Sequence, residues 1–285
     1  MNKRFYSSTF FDSGNINLKN SKYIIHRIPY EKTTSFIKGT GNAPDEIIKN
    51  SFSLELFDIE TKRVYKDEDF FTMESLKFSD TETIQTSVKK IGKYVRDNFI
   101  KDKLNIFIGG EHTITYAITK TMKKMGKDFS LIYFDAHYDL KDSYENSGYS
   151  HACVMRRVYE EGIDILGIGI RAGDKEESDF VRKNNIKIVN SYNFDYSAIE
   201  KHIKSMNKNI YISVDFDFFS PAVLPSVGTP EIDGFDIDIY KKTLYLIKGK
   251  NIIGMDFVEY SPIKGFEQYS HIAASIIYKT ISILS

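Results

Sequence analysis

The sequence predicts an α/β fold: a three-layer α/β/α sandwich around a mainly parallel central sheet, formed by one domain spanning residues 1–285. Two observations lead there. Short apolar, β-branched runs of strand length alternate with longer segments of helical spacing, the pattern of parallel strands joined by crossover helices. Several of those runs are apolar throughout, as strands covered on both faces must be.

The first strand is expected at 23–28 (Y-I-I-H-R-I), and the first helix of clear periodicity at 83–99. Strand 104–108 (L-N-I-F-I) leads into helix 113–125, and strand 130–134 (S-L-I-Y-F) precedes helix 152–161. Strand 163–170 is followed by helix 178–184, and strand 186–189 by helix 197–206. Strand 210–214 precedes helix 238–247, and strand 251–257 precedes the carboxy-terminal helix 270–284. Right-handed crossovers place every strand-to-helix loop on one edge of such a sheet. Residues 221–234 break the rhythm, with three Pro and two Gly in one stretch. That density of breakers predicts a shaped loop, and its place just after Asp217 makes it a wall of whatever site lies there.

Composition excludes several classes. Lys plus Arg equals Asp plus Glu at 39 each, so no long-range field attracts phosphate. The lysines at 101–103 and 120–127 read as solvated faces, and no nucleic-acid partner is expected. Cys153 is the single cysteine, which rules out an intramolecular disulfide and a cysteine-based zinc site. Residues 1–14 hold no continuous apolar stretch, so neither a signal peptide nor a membrane partner is expected and the location should be cytoplasmic.

Four Asp and two His fall in three blocks, G-G-E-H (109–112), D-A-H-Y-D (135–139) and S-V-D-F-D (213–217), each directly after an apolar run. Singly, each has an ordinary structural reading: a turn at Gly109-Gly110, a helix-start histidine at His112, a capping Asp135, a solvated Asp-x-Asp. Jointly they place six metal-ligating side chains at the carboxyl ends of strands, where open α/β sheets hold their sites. Four clustered carboxylates repel one another unless cations neutralise them, and two divalent ions balance the charge. An oxygen-rich set with two imidazoles suits manganese, with iron, cobalt and zinc as competitors.

These motifs resemble the ureohydrolases, the family of arginase and agmatinase. G-G-E-H-T-I-T, D-A-H-Y-D, Ser150-His151, S-V-D-F-D-F-F-S-P-A-V-L-P and D-F-V-E (256–259) occur in the family's order, and Gly39-Thr40 with Ala43-Pro44 is similar to its G-T-x-x-x-P segment. The departures are Thr113 where Ser is frequent, Ser220 where Asp often precedes the proline, and Ser226-Val227 where Gly is common. The resemblance implies an arginase/deacetylase-like fold, two manganese ions per subunit and a homo-oligomer, trimer or hexamer. It implies that His112, Asp135, Asp139 and Asp215 hold one ion and that His137 and Asp217 hold the other, with Asp135 and Asp215 bridging. It further implies Glu259 as the anchor of a guanidinium group, Asp139 as the acid that relays a proton to the leaving amine, and His151 as a substrate-side proton shuttle.

The expected reaction is hydrolysis of a guanidino compound by a hydroxide bridging the two ions. Agmatine, yielding putrescine and urea, is favoured because the loop after Asp139 offers Asp142, Glu145, Tyr144 and Tyr149, an acidic and aromatic set that suits a cationic tail. Asp142 and Tyr144 are therefore expected at the substrate. The alternatives are arginase or guanidinobutyrase activity, an aminopropylated agmatine as substrate, a hydrolase of amides or phosphoesters, and a non-catalytic guanidine- or polyamine-binding homologue.

Overall fold

The computed structural model describes residues 8–14 and 17–285; residues 1–7, half of the amino-terminal stretch read above for a leader, lie outside the described residues. In chain order the strands are β1 (Tyr23–Ile28), β2 (Phe57–Asp58), β3 (Arg63–Val64), β4 (Phe70–Thr72), β5 (Leu104–Gly109), β6 (Ser130–Phe134), β7 (Ile165–Ile170), β8 (Lys187–Asn190), β9 (Asn209–Asp215) and β10 (Asn251–Val258). The helices are α1 (Ala43–Lys49), α2 (Ile84–Asn98), α3 (Thr113–Lys124), α4 (Val154–Glu160), α5 (Lys175–Asn184), α6 (Tyr196–Ser205), α7 (Ile237–Ile247) and α8 (Glu267–Leu284). Eight strands form one sheet in the order β4-β1-β5-β10-β9-β6-β7-β8, and every pairing in it is parallel.

Period-two side-chain alternation divides the interior in two. Ile106, Ile108, Ile132 and Phe134 face a core shared with α1, α6, α7 and α8. Phe107, Leu131, Tyr133 and Tyr211 face the other, shared with α2, α3 and α4. Both layers of helices are thus held by alternate residues of the same strands, which is the predicted three-layer α/β/α sandwich. Among the described residues, no helix is long and apolar enough to cross a membrane.

Differences from the expected elements are local and have causes. Helix α5 begins at Lys175 rather than 178, because Asp174 and Glu177 form a capping box: the Asp174 carboxylate accepts the Glu177 N–H at 3.1 Å and Glu177 accepts the Asp174 N–H at 3.0 Å. The segment expected to be helical from 152 opens with a single 3₁₀ turn, His151–Cys153, before α4. Strand β4, the β2–β3 hairpin and α1 were not expected; each is too short to show a period in sequence. The loop at 221–234 is irregular as expected and is closed at its base where Ser220 N–H donates to Phe235 O (2.9 Å) and Phe235 N–H to Phe218 O (3.2 Å).

Candidate metal centre and active site

The three ligand blocks and Glu259 leave the carboxyl ends of β5, β6, β9 and β10, and the sheet order makes these the four neighbouring central strands. Gly110 lets the first block turn in beneath the chain at Tyr30: a Cβ there would overlap the Tyr30 carbonyl. Glu111 N–H donates to Tyr30 O at 2.8 Å, and the Glu111 carboxylate accepts from the backbone N–H groups of Lys32 (2.8 Å) and Thr33 (2.6 Å) and from the Thr113 hydroxyl (2.6 Å). Glu111 is therefore the tie that fixes 30–33 over the site, more than part of a turn.

His112 is fully buried and its Nδ1 lies 3.0 Å from Asp139 Oδ2 and 3.3 Å from both Asp135 Oδ2 and Asp215 Oδ2. Its Nε2 lies 2.9 Å from Ser213 Oγ, whose hydroxyl donates to Asp256 Oδ1 at 2.6 Å. Ser213 spends its proton on Asp256, so it accepts from Nε2–H, and Nδ1 is left as the lone-pair nitrogen facing the carboxylates. His137 Nδ1 stands 2.9 Å from Asp217 Oδ2 and 3.7 Å from Asp135 Oδ1. Two groups of candidate ligands result, His112 with Asp135 and Asp139, and His137 with Asp135 and Asp217, and they share Asp135.

The donor set fits cations on the molecule's own evidence. Among the described residues, His112 Nδ1 and Asp135 Oδ2 are buried with no hydrogen-bond partner, an arrangement that is costly unless something else satisfies them. Donors about 3 Å apart, as these are, form the edges of an octahedron whose centre lies about 2.1 Å from each, the reach of a small divalent ion. The set consists of carboxylate oxygens and imidazole nitrogens, the preference of manganese and its neighbours.

The electrostatics agree. Burial, reinforced by the neighbouring Asp135 charge, raises the pKa of Asp139, and burial with Asp217 raises that of Asp215 far above the usual carboxylate range. Burial also raises Asp135, but His112 and His137 overcome it and hold this carboxylate below its ordinary value. Burial depresses both imidazoles, yet the surrounding carboxylates outweigh it and both end above the ordinary histidine value. Protons and cations thus compete for the same atoms. A metal must displace any proton that these donors hold, so affinity is expected to increase with pH. Titration calorimetry with manganese between pH 5 and 9 should show this as weaker binding and larger proton release at the acidic end; a flat affinity would contradict it.

Asp139 (φ 53°) and Glu259 (φ 63°) both hold left-handed backbone conformations, each a cost of about 1–3 kcal/mol that surrounding bonds must sustain. The Asp139 carbonyl accepts N–H from Met155 and Arg156, and Glu259 N–H donates to Gly110 O at 2.8 Å while its Oε1 accepts the His112 N–H at 2.6 Å. Burial, then the Glu111 charge, pushes the Glu259 pKa well up, the state of an acid that lacks its cation.

His137, Asp139, Asp215, Asp217 and Glu259 line one cavity of about 200 Å³ together with Lys141, Tyr144, His151, Asp174 and Glu177. His151 stands at its side, with Nδ1 3.2 Å from the Thr33 hydroxyl and Nε2 3.5 Å from Ser35 Oγ, and the Tyr144 ring meets it edge-on at 5.7 Å. Asp142, also expected at the substrate, is not among the cavity's lining residues, and its carboxylate, exposed, accepts from Arg157 at 2.8 Å with Arg156 at 3.7 Å. Two arginines on α4 draw it away, and the acids at that end of the cavity are Asp174 and Glu177, both paired with Lys141. A larger groove of about 590 Å³ between α2 and α3 carries none of the expected ligands or catalytic residues, but Tyr149 of the loop read for the cationic tail lines it rather than the smaller cavity.

Sequence reasoning missed Ser213 and Asp256 as supports of His112, Glu111 and Thr33 as the tie beneath His151, and Asp174 with Glu177. Asp256 and Glu111 were visible as acids inside matched motifs. The Asp174–Glu177 pair was visible as a D-x-x-E capping box before an apolar-periodic helix.

A parallel α/β/α sandwich with paired His/Asp groups over its central strands defines a class: the ureohydrolase type of metal-site hydrolase. The chain belongs to the arginase family, whose sequence pattern matches residues 21–282. It is 31% identical to the agmatinase of Pyrococcus horikoshii over 97% of this chain and 96% of the relative. It is 32% identical to the N(1)-aminopropylagmatine ureohydrolase of a Synechocystis species over 90% of this chain and 87% of the relative. Its fold superposes on the crystal structure of the agmatine ureohydrolase of Thermoplasma volcanium with a TM-score of 0.85 at 27% identity, covering 97% of this chain and 94% of that one.

Proposed function

We propose that this chain hydrolyses agmatine to putrescine and urea at a site holding two manganese ions. The observation that carries the reading is that Glu259 lines one small cavity with members of both candidate ligand groups, Asp139 of the first and His137 and Asp217 of the second, so a guanidinium anchored by the carboxylate would meet the ligand cluster. The agmatinase and aminopropylagmatine ureohydrolase relatives support a guanidine with an amine tail over arginine.

A guanidinium carbon is a poor electrophile because its charge is spread over three nitrogens. His112, Asp135, His137, Asp139, Asp215 and Asp217 would hold the manganese, whose chemistry when bound would be to activate a water for attack at neutral pH. Glu259 orients the guanidinium carbon toward that nucleophile, and its buried carboxylate has no cation of its own among the described residues. Addition to the carbon gives a tetrahedral species whose C–N bond to the tail breaks only when that nitrogen is protonated. Asp139, which lines the cavity beside Glu259, would accept the proton lost on addition and deliver it there. His151, between Thr33 and Ser35 at the cavity wall, exchanges protons with solvent.

N(1)-aminopropylagmatine is the second reading, favoured by Asp174 and Glu177 on the cavity lining, acids that a longer tail with a further amine would meet. The deciding experiment is urea release by manganese-loaded protein across agmatine, N(1)-aminopropylagmatine, guanidinobutyrate and arginine. Agmatine is expected to give the highest kcat/KM. Preference for the aminopropylated compound supports the second reading, and no urea from any guanidine, with tight agmatine binding by calorimetry, leaves a binding protein.

A further inference from the structure

The two halves of the ligand cluster are held by different means. His112 is fixed through Ser213 and Asp256, within the central strands. His137 and Asp217 converge instead on one residue at the end of β7, Arg171. Its backbone N–H and that of Ala172 both donate to Ala136 O, at 2.8 and 2.9 Å, and Ala136 N–H donates to Asp217 Oδ1 at 2.9 Å. Its guanidinium donates to backbone carbonyls alone: Asp217 O at 2.5 Å, Phe218 O at 3.4 Å, Gly169 O at 3.3 Å, Ile232 O at 2.7 Å and Glu231 O at 3.2 Å. Among the described residues, no carboxylate stands within ion-pair distance of it.

A guanidinium without an acid partner, spread over five carbonyls from three chain segments, is used for its fork geometry rather than for its charge. The segments it joins are the Asp217 turn, the end of β7 and the wall loop. That loop in turn brings Thr229 Oγ1 within 3.4 Å of Asp217 Oδ2 and Glu231 Oε1 within 3.6 Å of His137 Nε2.

We infer that Arg171 is a positioning residue for the second half of the two-ion centre, holding His137, Asp217 and the 221–234 wall in register while leaving the His112 half to its own supports. The inference rests on the two-ion reading above. Electrostatics and geometry predict opposite signs here. Removing a positive charge beside a dication should tighten metal binding, whereas removing the brace should loosen it.

The test is manganese binding by wild-type protein and R171M, read as equivalents retained, as calorimetric affinities and by electron paramagnetic resonance. Wild-type protein is expected to hold two ions with the spectrum of a coupled pair. R171M is expected to keep the first with the six-line spectrum of an isolated ion and to bind the second about 10- to 100-fold more weakly, the usual effect of losing a support behind metal ligands. The retained first ion is the control for folding. Two ions at unchanged or higher affinity in R171M, or equal loss of both from folded protein, overturn the inference alone; wild-type protein that takes up no second ion overturns the two-ion reading with it. Should R171M not fold, R171K decides. An ammonium standing where Nη2 now stands meets at most the Asp217 and Glu231 carbonyls and leaves those of Gly169, Phe218 and Ile232 without their donor, so second-site binding weakened about tenfold supports the brace and wild-type affinity overturns it.

Discussion

Asp135→Asn is expected to abolish tight binding of both manganese ions and to lower urea release by about three orders of magnitude or more. Asp135 is the one carboxylate common to both candidate groups, with Oδ2 3.3 Å from His112 Nδ1 and Oδ1 3.7 Å from His137 Nδ1. The substitution keeps the shape of the side chain, and an amide still offers one oxygen acceptor for the His137 N–H, now received at 2.6 Å. What it removes is the charge that two cations share, and in a buried cluster that charge cannot be supplied by solvent. Metal content after gel filtration and an unchanged circular dichroism spectrum of the metal-free protein would separate ligand loss from misfolding. A variant that retains two ions and half its activity would remove Asp135 from the centre.

Glu259→Gln should leave the metal content intact and cost roughly 2–4 kcal/mol of transition-state binding, about 30- to 1000-fold in kcat/KM. The glutamine carbonyl oxygen can still accept the His112 N–H, so the turn after β10 is preserved. The lost element is the negative charge facing the guanidinium. Because orientation as well as affinity depends on it, both kcat and KM should worsen. Loss of an ion in this variant would instead place Glu259 among the ligands, and unchanged kinetics would exclude it as the anchor.

The chemistry of this site is written locally, which is why so much of it was legible. A strand covered on both faces must be apolar, so polar residues cluster where it ends, and Gly109–His112, Asp135–Asp139 and Asp215–Asp217 announce strand ends and ligands together. The same logic recovered the long helices, whose period survives over three turns or more, and failed for β4 and the β2–β3 hairpin, which last two or three residues. The loop after Asp139 shows the limit. Asp142 and Tyr144 are two residues apart, yet Tyr144 reaches the cavity and His151 while Asp142 turns to Arg157. Composition gave both the same standing, and the arginines of α4 separated them.

The sequence by itself determined the candidate donor atoms and the edge of the sheet that bears them, because these depend on residue type and on the strand-to-helix order along the chain. Tertiary structure alone decided which strands are neighbours. The order β5-β10-β9-β6 draws together residues 147 positions apart in the case of His112 and Glu259, and no local pattern encodes that pairing. It likewise decided the supports, since Ser213 reaches Asp256, and Arg171 reaches Asp217 and Ile232, only across strands and loops that packing sets side by side. Ligand identity is a property of side chains, whereas ligand geometry is a property of the sheet that carries them.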